Sequence, residues 1–219
     1  RASTSARRCW EFARACRAVG LKPVHGCEIS VEDEGPPSRL RPRGTLVLLA
    51  RDDEGYRNLC RLLSASWAGP GPGGPRCSRE DLLRFRGGLF ALSSGGGSPI
   101  LKASREGDED RTRRLLRLDL EVFGPESYRL GLPPSLPGGG DGGPALKAAL
   151  ELGVQVLASW VVDAASVEDE PLRAVFGKLD GNVRAGEEPE AASGSVLPAI
   201  QEAAAAFAGK EGTLQAAWD

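Results

Sequence analysis

An α/β fold, with a parallel or mostly parallel sheet wrapped by helices, is what this sequence predicts, and three observations predict it. Short apolar runs alternate four or five times with stretches of helical periodicity. Gly and Pro clusters separate the two kinds of segment. At 219 residues the chain is long enough to bury one substantial core. In such folds function sits at the carboxyl ends of the strands, so the segments around Glu28 and just after Ala158 are the places to search.

The elements follow in order. Phe12, Ala13, Cys16 and Val19 repeat at helical spacing from about Cys9 to Val19, and Gly20 supplies a stop. Residues 23–31 alternate apolar and polar as a strand does, ahead of the charged run 32–35, and 45–50 read as a fully buried strand. Asp52 or Asp53 then caps a helix from about Glu54 to Trp67, with Tyr56, Leu59, Cys60, Leu63 and Trp67 as its apolar face. The Gly and Pro of 68–75 form a loop, and Ser78 with Asp81 resembles a capping box for a short helix. A buried strand over 88–93 ends in Ser94 and three glycines. A helix over 110–123, a strand over 127–132, a helix over 145–152 and a strand over 154–158 complete the alternation. Ser166 with Asp169 signals another helix start; 186–194 reads as a linker and 197–208 as one more helix.

Several functional classes are disfavoured by composition. The 28 basic and 30 acidic residues give a net charge of −2, which argues against affinity built mainly on phosphate neutralisation. There is no Met, and the chain opens at Arg1 in a run of small and basic residues, so it is expected to be a fragment without a signal peptide. The one His, His25, removes most routes to a self-contained metal or acid/base site, and its odd separation from Glu28 along a strand sets it on the opposite face. The five cysteines lack the short gaps of a zinc site and fit a reducing cytoplasm, with Cys16 and Cys60 expected as buried thiols on helical faces. No apolar run approaches the roughly 20 residues of a membrane span. The glycines after Ser94 lack the Lys-Ser or Lys-Thr of a phosphate loop and read as a turn. Arg111, Arg113, Arg114 and Arg117 lie beside Glu106, Asp108, Glu109 and Asp110, which favours a solvated helix face over a DNA contact.

Four consecutive pieces, in order, resemble one family. They are the stretch from Phe12 to Glu28, with Gly-Leu-Lys-Pro leading to Gly-Cys-Glu; the apolar run from Leu46 to Arg51; the Gly55-Tyr56-Arg57-Asn58-Leu59 helix continuing to Ser64; and Gly88 to Gly95. The family is the polymerase-and-histidinol-phosphatase (PHP) domain at the front of bacterial C-family DNA polymerases, covering the replicative alpha subunit and its error-prone relatives. The resemblance extends over roughly residues 12–181.

It implies a distorted TIM-like barrel of about seven βα units, incomplete at the N-terminus here, over 1–185, with 186–219 as linker and helix leading toward a polymerase core. In active members such a barrel holds up to three metal ions, and metal-activated water attacks a phosphoester. The family's opening His-x-His would precede Arg1. Its Thr-Asp-His falls near Arg1, Ala2 and Ser3, where neither ligand is present. Glu28 keeps the family's glutamate position. The family's Thr-Asn-Asp-Val-His falls on residues 159–163, placing Val161 where an Asp binds metal and Asp163 where a His does, with Trp160 adding bulk.

Glu28 and Asp163 are thus the vestigial metal ligands that the resemblance implies, although Glu28 reads equally as a solvated or salt-bridged strand carboxylate and Asp163 as a cap or turn residue. Two carboxylates cannot converge on two or three cations. The expectation is a noncatalytic domain without cofactor, cytoplasmic and off the membrane. Its expected partners are the polymerase core of the same chain, other replication or mutasome subunits, and DNA through the full-length protein. The alternatives are a zinc- or manganese-dependent phosphoesterase or 3'-5' exonuclease completed by outside residues, and an unrelated α/β binding module.

Overall fold

Five of the expected apolar runs pair laterally into one sheet. The computed structural model describes residues 6–32, 44–68, 75–95, 97–133 and 143–159. In chain order the elements are α1 (Ala6–Ala18), β1 (Gly26–Val31), β2 (Gly44–Ala50), α2 (Asp53–Ala68), α3 (Arg79–Phe85), β3 (Leu89–Ser93), α4 (Pro99–Arg105), α5 (Glu109–Phe123), β4 (Tyr128–Leu132), α6 (Gly143–Leu152) and β5 (Val156–Ala158).

The strands lie in sequence order, β1 to β5. β2 pairs antiparallel with both β1 and β3, whereas β3–β4 and β4–β5 are parallel. The sheet is therefore mixed, which corrects the expectation of a mostly parallel one. The parallel pairs β3–β4 and β4–β5 are joined through α4–α5 and α6, as parallel neighbours require, whereas β2 runs against both of its neighbours although α2 and α3 lie between it and β3. β1, β3, β4 and β5 nonetheless point the same way, with β2 alone reversed.

Register places the two faces in different surroundings. Ile29, Leu46, Leu48, Leu89, Ala91, Tyr128, Leu130 and Val156 share one face, in one buried cluster with Leu59 and Leu62 of α2, Leu82 of α3, Ile100 of α4, Leu116 of α5 and Ala148 of α6. The other face carries Glu28, Val47, Leu49, Leu92 and Arg129. On the helical side, Arg113 bonds Asp110 and Glu151, and Lys147 bonds Glu109 at 2.9 Å, linking α5 to α6. Arg111 reaches Glu106. Arg111 and Arg113 of the arginine cluster are thus engaged in ion pairs.

α2 packs differently from its apolar pattern. Its buried residues are Gly55, Asn58, Leu59, Leu62 and Ser66, while Tyr56 is 41% and Trp67 56% exposed and Cys60 is exposed. The expected stripe is rotated because backbone contact outranks side-chain hydropathy here. A Cβ on Gly55 would run into the Gly88 carbonyl, and Asn58 donates its side-chain amide to the Gly87 carbonyl at 2.8 Å. Gly88 takes φ +69°, which only glycine adopts without strain. The buried thiol is Cys77, whose backbone N–H bonds the Ser30 carbonyl of β1 at 2.9 Å. In α1 only Ala13 of the expected apolar face is buried; Phe12 and Val19 are exposed and Cys16 half-buried.

The caps follow the sequence closely. Asp52 accepts the Gly55 N–H at 2.8 Å, and Ser78 accepts the Asp81 N–H at 3.1 Å. Helix α4 is additional to the expected elements: Ser98 caps it and Pro99 opens it, a start signal compressed into two residues. The segments expected beyond Ser159, including Asp163, the linker over 186–194 and the helix over 197–208, lie outside the described residues, as do residues 1–5. Gly55→Ala should lower unfolding free energy by about 2–4 kcal/mol, because the obstructing atom is backbone and cannot yield. Arg57→Ala on the exposed side of α2 should stay within about 0.5 kcal/mol; urea midpoints compare the two.

Candidate functional site

The carboxyl ends of β1, β3, β4 and β5 gather at one rim of the sheet, together with the start of β2. The rim is closely packed. A Cβ on Gly131 would meet Ser94 and Ser159, each 2.7 Å away, and the Thr45 N–H bonds the Gly97 carbonyl at 2.8 Å. Gly95 takes φ +77° and its carbonyl accepts the Ser98 N–H at 3.3 Å, a turn that precedes α4.

Glu28 is the third residue of β1, in mid-strand rather than at a strand end, and is exposed. Its lateral neighbour is Val47, whose own partner across the next pair is Leu92. The row leading away from Glu28 runs through Val47 and Leu92 to Arg129 and carries no second carboxylate or imidazole. Among the described residues no three His, Cys, Asp or Glu side chains are grouped so as to hold a metal ion. The described residues do not fit a metal cluster, and no chemical step is derived through one. His25 lies just before β1, where strand alternation no longer governs it; its ring meets Phe12 and Tyr56 edge-on at 6.4 and 5.6 Å. Asp163 lies outside the described residues.

At the opposite end of the strands opens a cleft of about 1070 Å³, lined by Arg17, Lys22, His25, Arg51, Tyr56, Phe90, Arg129 and Gln155 among others. The sequence singled out none of the cations here. The signal available was weak: Arg51 closes β2, and Arg129 is a lone charge inside the apolar β4. Strand pairing is what brings both onto the Phe90 ring, at 4.8 and 5.7 Å.

A second polar feature lies on the helical side. Asp119 of α5 is half-buried as a residue, yet its carboxylate turns inward to accept the Ser93 hydroxyl at 2.9 Å. The fully buried Tyr128 lies beside it, although its Oη has no partner in good hydrogen-bonding geometry. Burial pushes the Asp119 carboxyl up to about 6, against the opposing pull of the Ser93 and Tyr128 hydroxyls and Arg79. Burial first, and the Asp119 charge second, raise the Tyr128 phenol well above its ordinary value. Burial also pushes Cys27 up to about 12 and Cys77 up to about 11, so neither thiol is primed as a nucleophile.

The mixed five-stranded sheet with helices packed on one face defines an α/β domain. The sequence pattern of the PHP domain matches residues 6–134, more than half of the chain, and the chain belongs to that family. It is 34% identical over 111 residues to the DNA polymerase III subunit alpha of Chlamydia trachomatis, covering 48% of this chain and 9% of that protein. Against the DNA polymerase III subunit alpha of Deinococcus radiodurans it is 34% identical over 157 residues, covering 68% and 12%. Against the error-prone DNA polymerase of Mycolicibacterium paratuberculosis it is 30% identical over 195 residues, covering 85% and 17%. The chain spans less than a fifth of the length of these relatives. No described helix is long and apolar enough to cross a membrane.

Asp119 gives a pH signature of definite sign. Its folded-state value lies above the ordinary 3.8, so the native state takes up this proton first, and this contribution to stability rises as pH falls from about 7 to about 4. The full span is about 3 kcal/mol. Glu109, held below its ordinary value by Lys147, acts in the opposite direction. The difference between wild type and Asp119→Asn isolates the aspartate: urea midpoints should show Asp119→Asn gaining on wild type at pH 7 and losing that advantage by pH 4.5.

Proposed function

We propose that this chain is a noncatalytic PHP domain of a bacterial DNA polymerase III alpha subunit or error-prone DNA polymerase. It braces the polymerase core of the same protein and contacts other replication or mutasome subunits, in cytoplasmic DNA replication or translesion repair. The observation that carries the reading is the surroundings of Glu28. The side chain that matches the family's glutamate ligand stands beside Val47 and Leu92, with no anionic or imidazole partner on that row. Ions of charge two or more need several converging oxygen or nitrogen ligands, and such a row cannot supply them. The substitutions at Ala2, Ser3 and Val161, where the family has ligands, support the same reading, and leave Glu28 and Asp163 as vestiges. We also propose that the sheet is part of a distorted barrel whose interior is the face bearing Glu28; the half-buried aliphatics Val47, Leu49 and Leu92 on that face support this.

The test is metal-dependent hydrolysis by the full-length protein, with manganese or zinc, on a phosphomonoester and on 3'-labelled DNA. Neither substrate should turn over above the metal-free rate, and Glu28→Ala should leave both rates and the unfolding midpoint unchanged. Metal-dependent turnover abolished by Glu28→Ala would establish the alternative, an active phosphoesterase or 3'-5' exonuclease.

A further inference from the structure

We propose that the cleft at the amino-terminal end of the parallel strands is a binding site for a small oligophosphate anion that does not involve Glu28 itself. Four cations line it: Arg17 at the end of α1, Lys22 before β1, Arg51 after β2 and Arg129 in β4. Among the described residues none of the four has an ion-pair partner. The acids in the cleft are Asp52 and Asp53. Asp52 is engaged by the Gly55 N–H, which leaves Asp53 as the one carboxylate without a described partner. The cleft is therefore cationic in a chain whose net charge is −2, so its charge is local rather than a reflection of composition.

Two of these cations are fixed in place before any ligand arrives. The Arg51 backbone N–H bonds the Gly88 carbonyl at 2.9 Å, and its guanidinium lies 4.8 Å from the Phe90 ring centre. Arg129 lies 5.7 Å from the same centre and donates to the Pro125 and Tyr128 carbonyls, each at 2.9 Å. An aromatic face and neutral carbonyls hold two like charges near one another without neutralising either. Guanidinium forks match phosphate oxygens, and several cations converging from separate walls match several negative charges better than one carboxylate. At about 1070 Å³ the cleft is in the range of small-ligand sites, and the exposed Tyr56 ring gives an attached base a surface to lie on. This inference stands apart from the polymerase reading, because it uses neither Glu28 nor a metal.

Calorimetric titration of the whole chain in chelator, at about 50 mM and about 300 mM salt, tests it with ATP, inorganic tripolyphosphate and adenosine as probes. ATP and tripolyphosphate should bind, more weakly at the higher salt, and adenosine should not. Tighter binding of ATP would assign a nucleotide, and equal binding would assign the phosphate chain alone; both support the site. Arg51→Ala combined with Lys22→Ala should weaken binding by about tenfold or more, whereas Arg114→Ala on the exposed side of α5 should not. Because these variants could alter folding, the anion-induced rise in unfolding temperature provides a second readout, present in wild type and lost in the double variant. No binding of either phosphate probe, or binding that survives the double variant, would overturn the proposal.

Discussion

The contact between α2 and the turn that leads into β3 governs much of the remaining structure. Gly55 and Gly88 bring two backbones together with no side chain between them, Asn58 ties down the Gly87 carbonyl, and the Gly88 carbonyl in turn accepts the Arg51 N–H. These links join the end of β2, the first turn of α2 and the start of β3. They determine which face of α2 meets the sheet and how Arg51 and Tyr56 stand relative to Phe90. One wall of the cleft is a consequence of that junction, since Arg51, Asp52, Tyr56 and Phe90 flank it.

Apart from α4, the sequence made the described elements legible to within a few residues, because Gly, Pro and capping residues punctuate this chain densely. Asp52 and Ser78 mark helix starts through chemistry confined to one turn, and such signals survive without knowledge of the tertiary fold. What was not legible depended on partners distant in sequence. The rotation of α2 is set by Gly88, far along the chain, so Tyr56, Cys60 and Trp67 looked like core and are largely on the surface. The reversal of β2 is a property of its pairing with β1 and β3, which periodicity within one strand cannot report. Of the candidate site, Glu28 was found through its family position, but the cationic cleft was not: Arg17, Lys22, Arg51 and Arg129 are scattered over more than a hundred residues, and the family pieces that include three of them gave no sign that they converge.

The sheet also separates two kinds of polar environment. Leu92 and Ser93 are adjacent in β3 and point to opposite faces. Leu92 stands in the row that begins at Glu28, and Ser93 reaches the inward carboxylate of Asp119. On the helical side a carboxylate is kept in the core by hydroxyl groups and becomes easier to protonate. On the other side a carboxylate remains exposed and is not drawn into the packing. A single layer of backbone thus separates a carboxylate held in the core from one left exposed.

The aliphatic pair Val47 and Leu92 beside Glu28 has a historical implication. A carboxylate introduced at Val47 alone would face Glu28 directly across the strand pair, and like charges in that position destabilise a sheet. The repulsion would be relieved only by a bound cation, and holding one firmly requires still more ligands. Each single step toward a metal cluster is therefore unfavourable until several have been taken together. On the proposed noncatalytic reading, a face lined with Val and Leu acts as a ratchet, because ligands absent from it could be regained only several at a time.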